Sequence, residues 1–471
     1  MTHSIPVLII SLYIVVLFAV KFWSQRLTQK NNEGFVGYLL AGRQLPPIVS
    51  ACLLAGLAIG GASTIGVAER AYTVGISAGW YNAAFAAGAL VVGLVAARRY
   101  RKMRITTLPE LFERHYSATG RIVGVFGQLV IQLVITSLQY VAGGAILSSL
   151  LPELFSLETG MVVTTVVFVG ITLIGGFWAA GLTNVINVII IYLGITLGAF
   201  LTIDRIGGFG ALLSKIPEGH PGFDLFAVGP GLICAWFIVM ITQAHSTQSV
   251  IQIGFASENE KSASRGYLLG GLIILPVGFI AASIGLSAAV LYPGIVPAEA
   301  LPRVILSLPD AAAGIILAGL WAADVSTASA LLMGSATLVT TDIIKRFIAP
   351  DLSSAREKLL CRVAVGVLSV LTLLLALTVS GILKVLLIGL TLTTAYTLIV
   401  LMTMFWPAMC RRSSATSTLL ATMVSLGAWL LIPEEFHFLP HPIYLTWLVS
   451  IVVFFITALV DKRPIKRLEI R

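Results

Sequence analysis

"LWAADVSTASALLMGSATLVTTDIIKRFI", Leu320–Ile348, decides how the rest of the chain is read. Most of it is apolar enough for a membrane helix, yet Asp324, Ser326 and Thr327 stand where a lipid-facing helix would carry Leu or Val. A carboxylate at the bilayer centre costs roughly 2.5–3.5 kcal/mol on insertion scales, which by default marks a functional site. The same residue can also be a protonated group hydrogen-bonded between helices. Ala323, Ser326 and Thr327 follow i, i+3, i+4 spacing and share one helix face. Two hydroxyls and a nearby carbonyl make hard oxygen ligands for an alkali cation. Equally, Ser and Thr in membrane helices bond back to the preceding turn. This segment alone leaves both readings open.

Composition bounds the class. Of 471 residues, 58% are hydrophobic and only 11% charged, with mean hydropathy +0.98. A soluble chain would carry about 25% charged residues. The apolar residues come in blocks near the ~20 needed to cross a bilayer. About thirteen spans are expected, at 5–23, 46–68, 78–97, 121–150, 160–178, 184–203, 229–251, 266–292, 311–340, 361–380, 383–406, 416–432 and 443–460. The opening "MTHSIP" has no basic region, so the first span is expected to stay in the mature protein.

The net charge of +9 is distributed as topology, not as a nucleic-acid patch. Segments 21–45, 98–121, 252–265, 341–362, 407–415 and 461–471 hold 25 of the 30 Lys and Arg; the other side holds Arg70, Arg205, Lys215, Arg303 and Lys384. The positive-inside rule then predicts a multi-pass cell-membrane protein with its N-terminus outside and C-terminus cytoplasmic. "RRYRKMR", Arg98–Arg104, reads as an anchor beside anionic lipid. On this topology Asp324 is the one carboxylate inside a span.

Cys52, Cys234, Cys361 and Cys410 fall within spans or at their basic ends, so no disulfide framework is expected. Zinc spacing, a P-loop and a dinucleotide turn are all missing from the sequence. With loops of at most about 25 residues, a soluble motor has no room, so a gradient must supply the energy. A cation site also needs ligands from a second element. "ACLLAGLAIGGASTIGVAERAYTVG", from Ala51, places Gly56, Gly60 and Gly61 mid-membrane, followed by Ser63 and Thr64. Discontinuous helices at the midplane expose carbonyls and helix ends to solute and ion. Small-residue helix packing is the alternative reading.

Four passages now resemble the sodium:solute symporter family, which includes sodium-coupled sugar, proline, pantothenate and sialic acid carriers. They are "RITTLPELFERHY" (Arg104–Tyr116), "GGFWAAGLTNVIN" (Gly175–Asn187), "PAEALPRVI" (Pro297–Ile305) and "AADVSTASALLMGSATLVTTDIIKR" (Ala322–Arg346). The resemblance implies an all-α polytopic membrane protein with a LeuT-type core of five-plus-five inverted repeats. One helix (5–23) would precede repeats at 46–203 and 229–406, and two trailing helices would occupy 416–460, in one transporter domain. Carried over position by position, the sodium site falls on the carbonyls of Gly56, Ile59 and Ala323 and the hydroxyls of Ser326 and Thr327. The solute would lie between the broken first core helix and core helices two, three, six and ten. Its candidate liners are Gly60, Gly61, Ser63 and Thr64; Gln132, Thr136 and Gln139; His245, Thr247 and Gln248; and Thr394 and Tyr396.

The sequence departs from the family in two places. Where some members carry an acid that helps form a second sodium site, this chain has Asn184, and Ser329 is followed by Ala330. One sodium per cycle is therefore expected. Asp324 replaces a usually apolar residue beside the sodium ligands, where it could tune the ion, bind a proton or meet a cationic group on the solute. Glu69 and Arg70 lie at the outer mouth as a gate pair or a solvated surface pair. The expected function is sodium-coupled symport of a small polar organic solute into the cell by alternating access, with Na+ as coupling ion and no other cofactor. Partners are the solute, Na+ and the bilayer, not nucleic acid. The rivals are a proton-coupled carrier using Asp324, or a carrier-like sensor working with a separate signalling partner. No nucleophile–base pair or metal cluster suggests an enzyme.

Overall fold

The structure, a computed structural model, describes residues 4–28, 34–174, 176–297, 300–378 and 382–465. Gly175, Ala298 and Glu299, each inside a motif quoted above, lie outside the described residues. The described chain is built of helices: α1 (Ser4–Thr28), α2 (Pro47–Ala58), α3 (Val67–Val74), α4 (Trp80–Val95), α5 (Leu108–His115) and α6 (Ala118–Leu150). Next come α7 (Leu157–Leu173), α8 (Phe177–Ile206), α9 (Pro230–Ser246), α10 (Gln248–Ala256), α11 (Glu260–Ile274) and α12 (Val277–Leu291). The chain continues through α13 (Asp310–Thr337), α14 (Ser354–Ala376), α15 (Ile382–Leu390), α16 (Thr393–Phe405), α17 (Ser414–Leu431) and α18 (Pro442–Val460).

Among the described residues, ten helical stretches are long and apolar enough to cross a membrane. Three shorter apolar helices, α2, α7 and α9, stand where further spans were expected. The outer faces are apolar: Val363, Val367, Val370 and Leu374 of α14 and Leu448, Val452, Ile456 and Leu459 of α18 are all exposed. Such stripes would drive aggregation in water and suit contact with lipid tails.

Two groups of helices pack internally. In one, α11 lies along α2 and α4, α9 along α4, and α12 along α3. In the other, α6 lies against α7, α13 and α14. α8 makes its widest contact with α13, and α1 covers both. α13 is buried almost from end to end, which explains its Ala, Gly, Ser and Thr content: it faces protein, not lipid. Its continuation, Leu338–Ile348, widens into a π-helix. Such widening recurs at functional positions.

Among the described residues, two carboxylates, not one, are fully enclosed in a membrane helix: Asp324 and Asp342 are each 0% exposed. Asp342 was counted with the basic-side segment 341–362, but the helix runs on past it. It is tolerated because Arg121 Nε donates to its Oδ1 at 2.7 Å and Thr107 Oγ1 at 2.8 Å. Arg121 in turn contacts Glu113 at 2.5 Å, and Arg346 donates from Nε and Nη2 to Glu113 Oε1 at 2.9 and 2.7 Å and from Nε to Oε2 at 3.0 Å. These residues tie α5, α6 and the end of α13 together on the basic face. Burial tends to raise the Glu113 carboxyl, but hydrogen bonds from Arg346 and Arg121 outweigh it and hold the group below its ordinary value.

Candidate functional site

The first core helix breaks at the glycine run, where the sequence left a break and small-residue packing both open. α2 ends at Ala58, and Ile59, at φ −94°, ψ 88°, leaves helical geometry. Beyond the break the chain restarts as a π turn, Ala62–Gly66, closed by Gly66 N–H donating to Gly61 O at 2.8 Å. The hydroxyls in the motif satisfy the break locally. Gly60 N–H donates to Ser63 Oγ at 2.8 Å, while Ser63 Oγ and Thr64 Oγ1 donate to Gly60 O at 2.9 and 3.0 Å. Side-chain oxygens thus replace the backbone partners that a broken helix loses.

α13 crosses this break. Ser326 Oγ donates to Gly56 O at 2.7 Å and to Ala323 O at 2.8 Å. Thr327 Oγ1 donates to Gly56 O at 2.9 Å and to Leu57 O at 3.2 Å. Gly56, Ala323, Ser326 and Thr327 are therefore one oxygen cluster, all buried, with Ile59 at the adjoining break. Gly56 is small for a reason: a Cβ there would stand 2.8 Å from Cγ of Asn184 on α8. Asn184 itself accepts from Asn187 at 3.2 Å, and Asn187 accepts from Tyr13 at 2.8 Å.

A second cluster lies just past the first. Gly61 N–H donates to Gln139 Oε1 at 2.8 Å, and Gln139 Nε2 donates back to Ile135 O at 3.0 Å. A Cβ on Gly60 would stand 2.4 Å from Gln139 Oε1 and 2.6 Å from Thr327 Oγ1. One on Gly61 would stand 2.9 Å from Asp324 Oδ1. Neither oxygen of Asp324 has a hydrogen-bond partner among the described residues. Gly60, Gly61, Ser63, Thr64, Gln139 and Asp324 thus surround the break.

The remaining expected liners sit elsewhere. Gln132 is fully buried with its amide unpartnered, facing Gly334 of α13, and Thr136 Oγ1 bonds back to Gln132 O at 2.7 Å. His245 is 2% exposed and spends Nδ1 on Ile241 O at 2.7 Å. Thr394 Oγ1 bonds to Thr391 O at 2.9 Å and faces Ser450 of α18. Tyr396 donates to Gly124 O at 2.7 Å with its ring stacked on Phe112. Glu69 and Arg70 line a cavity of about 670 Å³ together with Gly66, Trp236 and His441.

A second break went unread in the sequence. The expected span 229–251 is interrupted at Thr247, φ −74°, ψ 127°, between α9 and α10. Gln128 of α6 clamps it: Nε2 donates to Ser246 O at 2.7 Å, and Oε1 accepts from Gln248 N–H at 2.9 Å. Gln248 Oε1 then accepts from Leu108 N–H at 2.8 Å, which ties it to the "TLPE" loop. The signal was present as the polar run "TQAHSTQS", Thr242–Ser249, inside an apolar segment. Nothing in the sequence singled out Gln128.

Known proteins resemble this arrangement over most of the chain. A sequence profile of the sodium:solute symporter family matches residues 38–421. A sodium/glucose cotransporter of Vibrio parahaemolyticus is 26% identical over 383 residues, 74% of this chain and 70% of that one. A high-affinity proline transporter of Bacillus subtilis is 25% identical over 368 residues, 74% of this chain and 76% of that one. Among solved structures, the substrate-bound outward-open state of a Na+-coupled sialic acid symporter superposes with TM-score 0.80 at 17% identity, covering 99% of both chains. A nucleobase-cation-symport-1 transporter follows with TM-score 0.63 at 16% identity, covering 91% and 94%. The fold is the expected all-α, LeuT-type one, and the chain belongs to the sodium:solute symporter family.

Proposed function

We propose that this symporter carries one sodium ion per cycle at Gly56, Ile59, Ala323, Ser326 and Thr327, and moves a small polar organic solute inward past the first break. The observation that carries this reading is that two α13 hydroxyls converge on one carbonyl of a broken helix, Gly56 O. Hard oxygens from two elements are what an alkali cation needs once its water is stripped. Asn184 and Ala330, in place of an acid and a hydroxyl, support a single ion.

One charge is enough. Crossing about 100 mV gives roughly 2.3 kcal/mol. A tenfold sodium gradient adds about 1.4 kcal/mol. Together they could concentrate a neutral solute roughly 500-fold. On the charge asymmetry, the basic face is cytoplasmic and the N-terminus outside. The cavity at Glu69 and Arg70 is then the outer vestibule, and the Gln128–Gln248 clamp closes the inner side. The repeat boundaries 46–203 and 229–406 are part of the same reading, each repeat beginning with a broken helix.

The test is the thermal midpoint of the purified protein in sodium against potassium at matched ionic strength, for wild type and Ser326→Ala/Thr327→Ala. A saturable rise specific to sodium, lost in the double variant, is expected. Equal midpoints in the two salts would remove the ion from this site. Uptake that persists without sodium but collapses with the pH gradient would replace the reading with proton coupling.

A further inference from the structure

α1 belongs to neither broken helix, yet one of its side chains is linked to the first break. Its buried face follows helical spacing: Ile10, Tyr13, Leu17 and Lys21 are buried, while Leu8, Leu12 and Val15 turn outward. Tyr13 is the polar residue in the middle of that face. Its hydroxyl donates to Asn187 Oδ1 on α8 at 2.8 Å, and Asn187 Nδ2 donates to Asn184 Oδ1 at 3.2 Å. Asn184 in turn takes the space that a side chain on Gly56 would need. A Cβ there would stand 2.8 Å from Asn184 Cγ and 3.0 Å from each of its Oδ1 and Nδ2. The contacts thus run from α1 to the residue whose carbonyl Ser326 and Thr327 share.

α8 is the frame for this geometry. α2, which carries Gly56, and α13, which carries the two hydroxyls, both pack on it. The Asn184 amide is the spacer between α8 and Gly56. Its setting therefore governs where Gly56 O stands relative to Ser326 Oγ and Thr327 Oγ1, at 2.7 and 2.9 Å. An amide turns freely about its last side-chain bond, and its hydrogen bonds choose the orientation. Asn187 supplies the bond to Asn184, and Tyr13 supplies the bond to Asn187. Without the hydroxyl, Asn187 Oδ1 loses its donor in a buried setting and turns toward another partner. Both amides then lose their fixed setting, and Gly56 loses a fixed support.

The same bonds can be read as glue between α1 and α8. Two observations favour positioning. α1 is already seated by close packing, since a Cβ on Gly314 of α13 would stand 2.7 Å from Ile9 Cδ1 and 2.9 Å from Pro6 Cα. The amide pair also continues beyond the α1 contact as far as Gly56, where glue alone would end at Asn187.

We propose that Tyr13 is a positioning residue for the sodium site, acting through Asn187 and Asn184 on Gly56. The leading helix then takes part in ion coupling without touching the ion. This rests on the sodium reading above and adds a residue that lies outside its ligand set.

The experiment titrates sodium, with potassium keeping ionic strength matched, and reads the thermal midpoint of the purified full chain. Tyr13→Phe keeps the ring and loses only the hydroxyl. It should raise the sodium concentration for half-maximal stabilisation about tenfold, as loss of a group that orients a metal ligand commonly does. Asn187→Ala should raise it at least as much. In that background Tyr13→Phe should add nothing, because the hydroxyl acts through that amide. Ile10→Val trims the same face of α1 without touching the amides. It should lower the sodium-free midpoint at least as much as Tyr13→Phe does and leave the sodium requirement unchanged.

An unchanged sodium requirement in Tyr13→Phe overturns the proposal. So does an equal shift in Ile10→Val, which would trace the effect to the packing of α1 at large. Additive shifts in the double variant overturn the route through Asn187. If Tyr13→Phe does not fold, Asn187→Ala decides, and a wild-type sodium requirement there overturns the proposal. Failure of the sodium reading itself shows separately, as equal wild-type midpoints in sodium and potassium, and takes the proposal with it.

Discussion

The two broken helices each use a glutamine of α6 as a tie but differ in what else satisfies them. At Gly60 the break is satisfied largely from within its own segment, by Ser63 and Thr64, with Gln139 of α6 accepting Gly61 N–H, and α13 then adds hydroxyls and a carboxylate. At Thr247 the break is satisfied from outside, by the amide of Gln128 on α6, and Gln248 passes the tie on to the loop at Leu108. Hydroxyls and carbonyls can exchange a hydrogen bond for a metal contact with small movements. A primary amide bonded at both ends chiefly fixes position. The first break is thus fitted for ligands and the second for holding two helix groups together.

The sharpest way to break this comparison is to remove the hydroxyls. Ser326→Ala/Thr327→Ala should weaken sodium about a hundredfold, a factor of ten for each ligand, as read by the sodium dependence of uptake or of the thermal midpoint. Retained sodium affinity would mean that the first break is structural like the second. Gly60→Ala comes next. Its methyl would overlap Gln139 Oε1 and Thr327 Oγ1, at 2.4 and 2.6 Å, so both clusters must shift. Overpacking of this kind costs about 1–3 kcal/mol, and uptake should fall by about tenfold or more.

Gln128→Ala tests the other side. It leaves Ser246 O and Gln248 N–H without their partner, at about 1–3 kcal/mol for buried groups. Amide hydrogen exchange over 246–252 should speed up about tenfold or more, while the sodium-specific stabilisation of the conformer described here persists in weakened form. Unchanged exchange would show that the clamp is idle. The smallest effect belongs to Glu113. Its carboxyl lies below the ordinary value, so the stability it contributes is present above that value and fades as pH falls through the depressed one. Glu113→Gln should lower the midpoint by about 1–2 °C near neutrality and flatten the decline on the acid side. A midpoint unmoved at neutral pH would assign the basic-face closure to the amides alone.

The hydroxyl pair and the first break were legible because their residues sit close together in sequence at helical spacing, and glycines mark the place where the backbone turns. The second break was hidden by amides, which read as polar residues of an unbroken span at 229–251. Arg121 and Asp342 were harder still. Each stands near the end of a span, where a loop charge is indistinguishable from a buried one until the partner is known, and 221 positions separate them. Among the expected solute liners, Gln139 fell beside the break, while Gln248 and Tyr396 fell among the contacts near the basic face. Spacing along a helix gives a face, but it does not tell which neighbour that face meets.

The division of labour on the basic face has an electrical consequence. The ion pairs Arg121–Asp342, Arg121–Glu113 and Arg346–Glu113 join α5, α6 and the end of α13, elements of one packed group and its leading loop. The Gln128 ties from α6 to the segment between α9 and α10 are between neutral amides and backbone. Parting the helices at this tie would break those neutral bonds and leave the three ion pairs named here intact. Were this tie to open in the transport cycle, its bonds would carry little protein charge through the transmembrane field, and voltage would act chiefly on the carried cation.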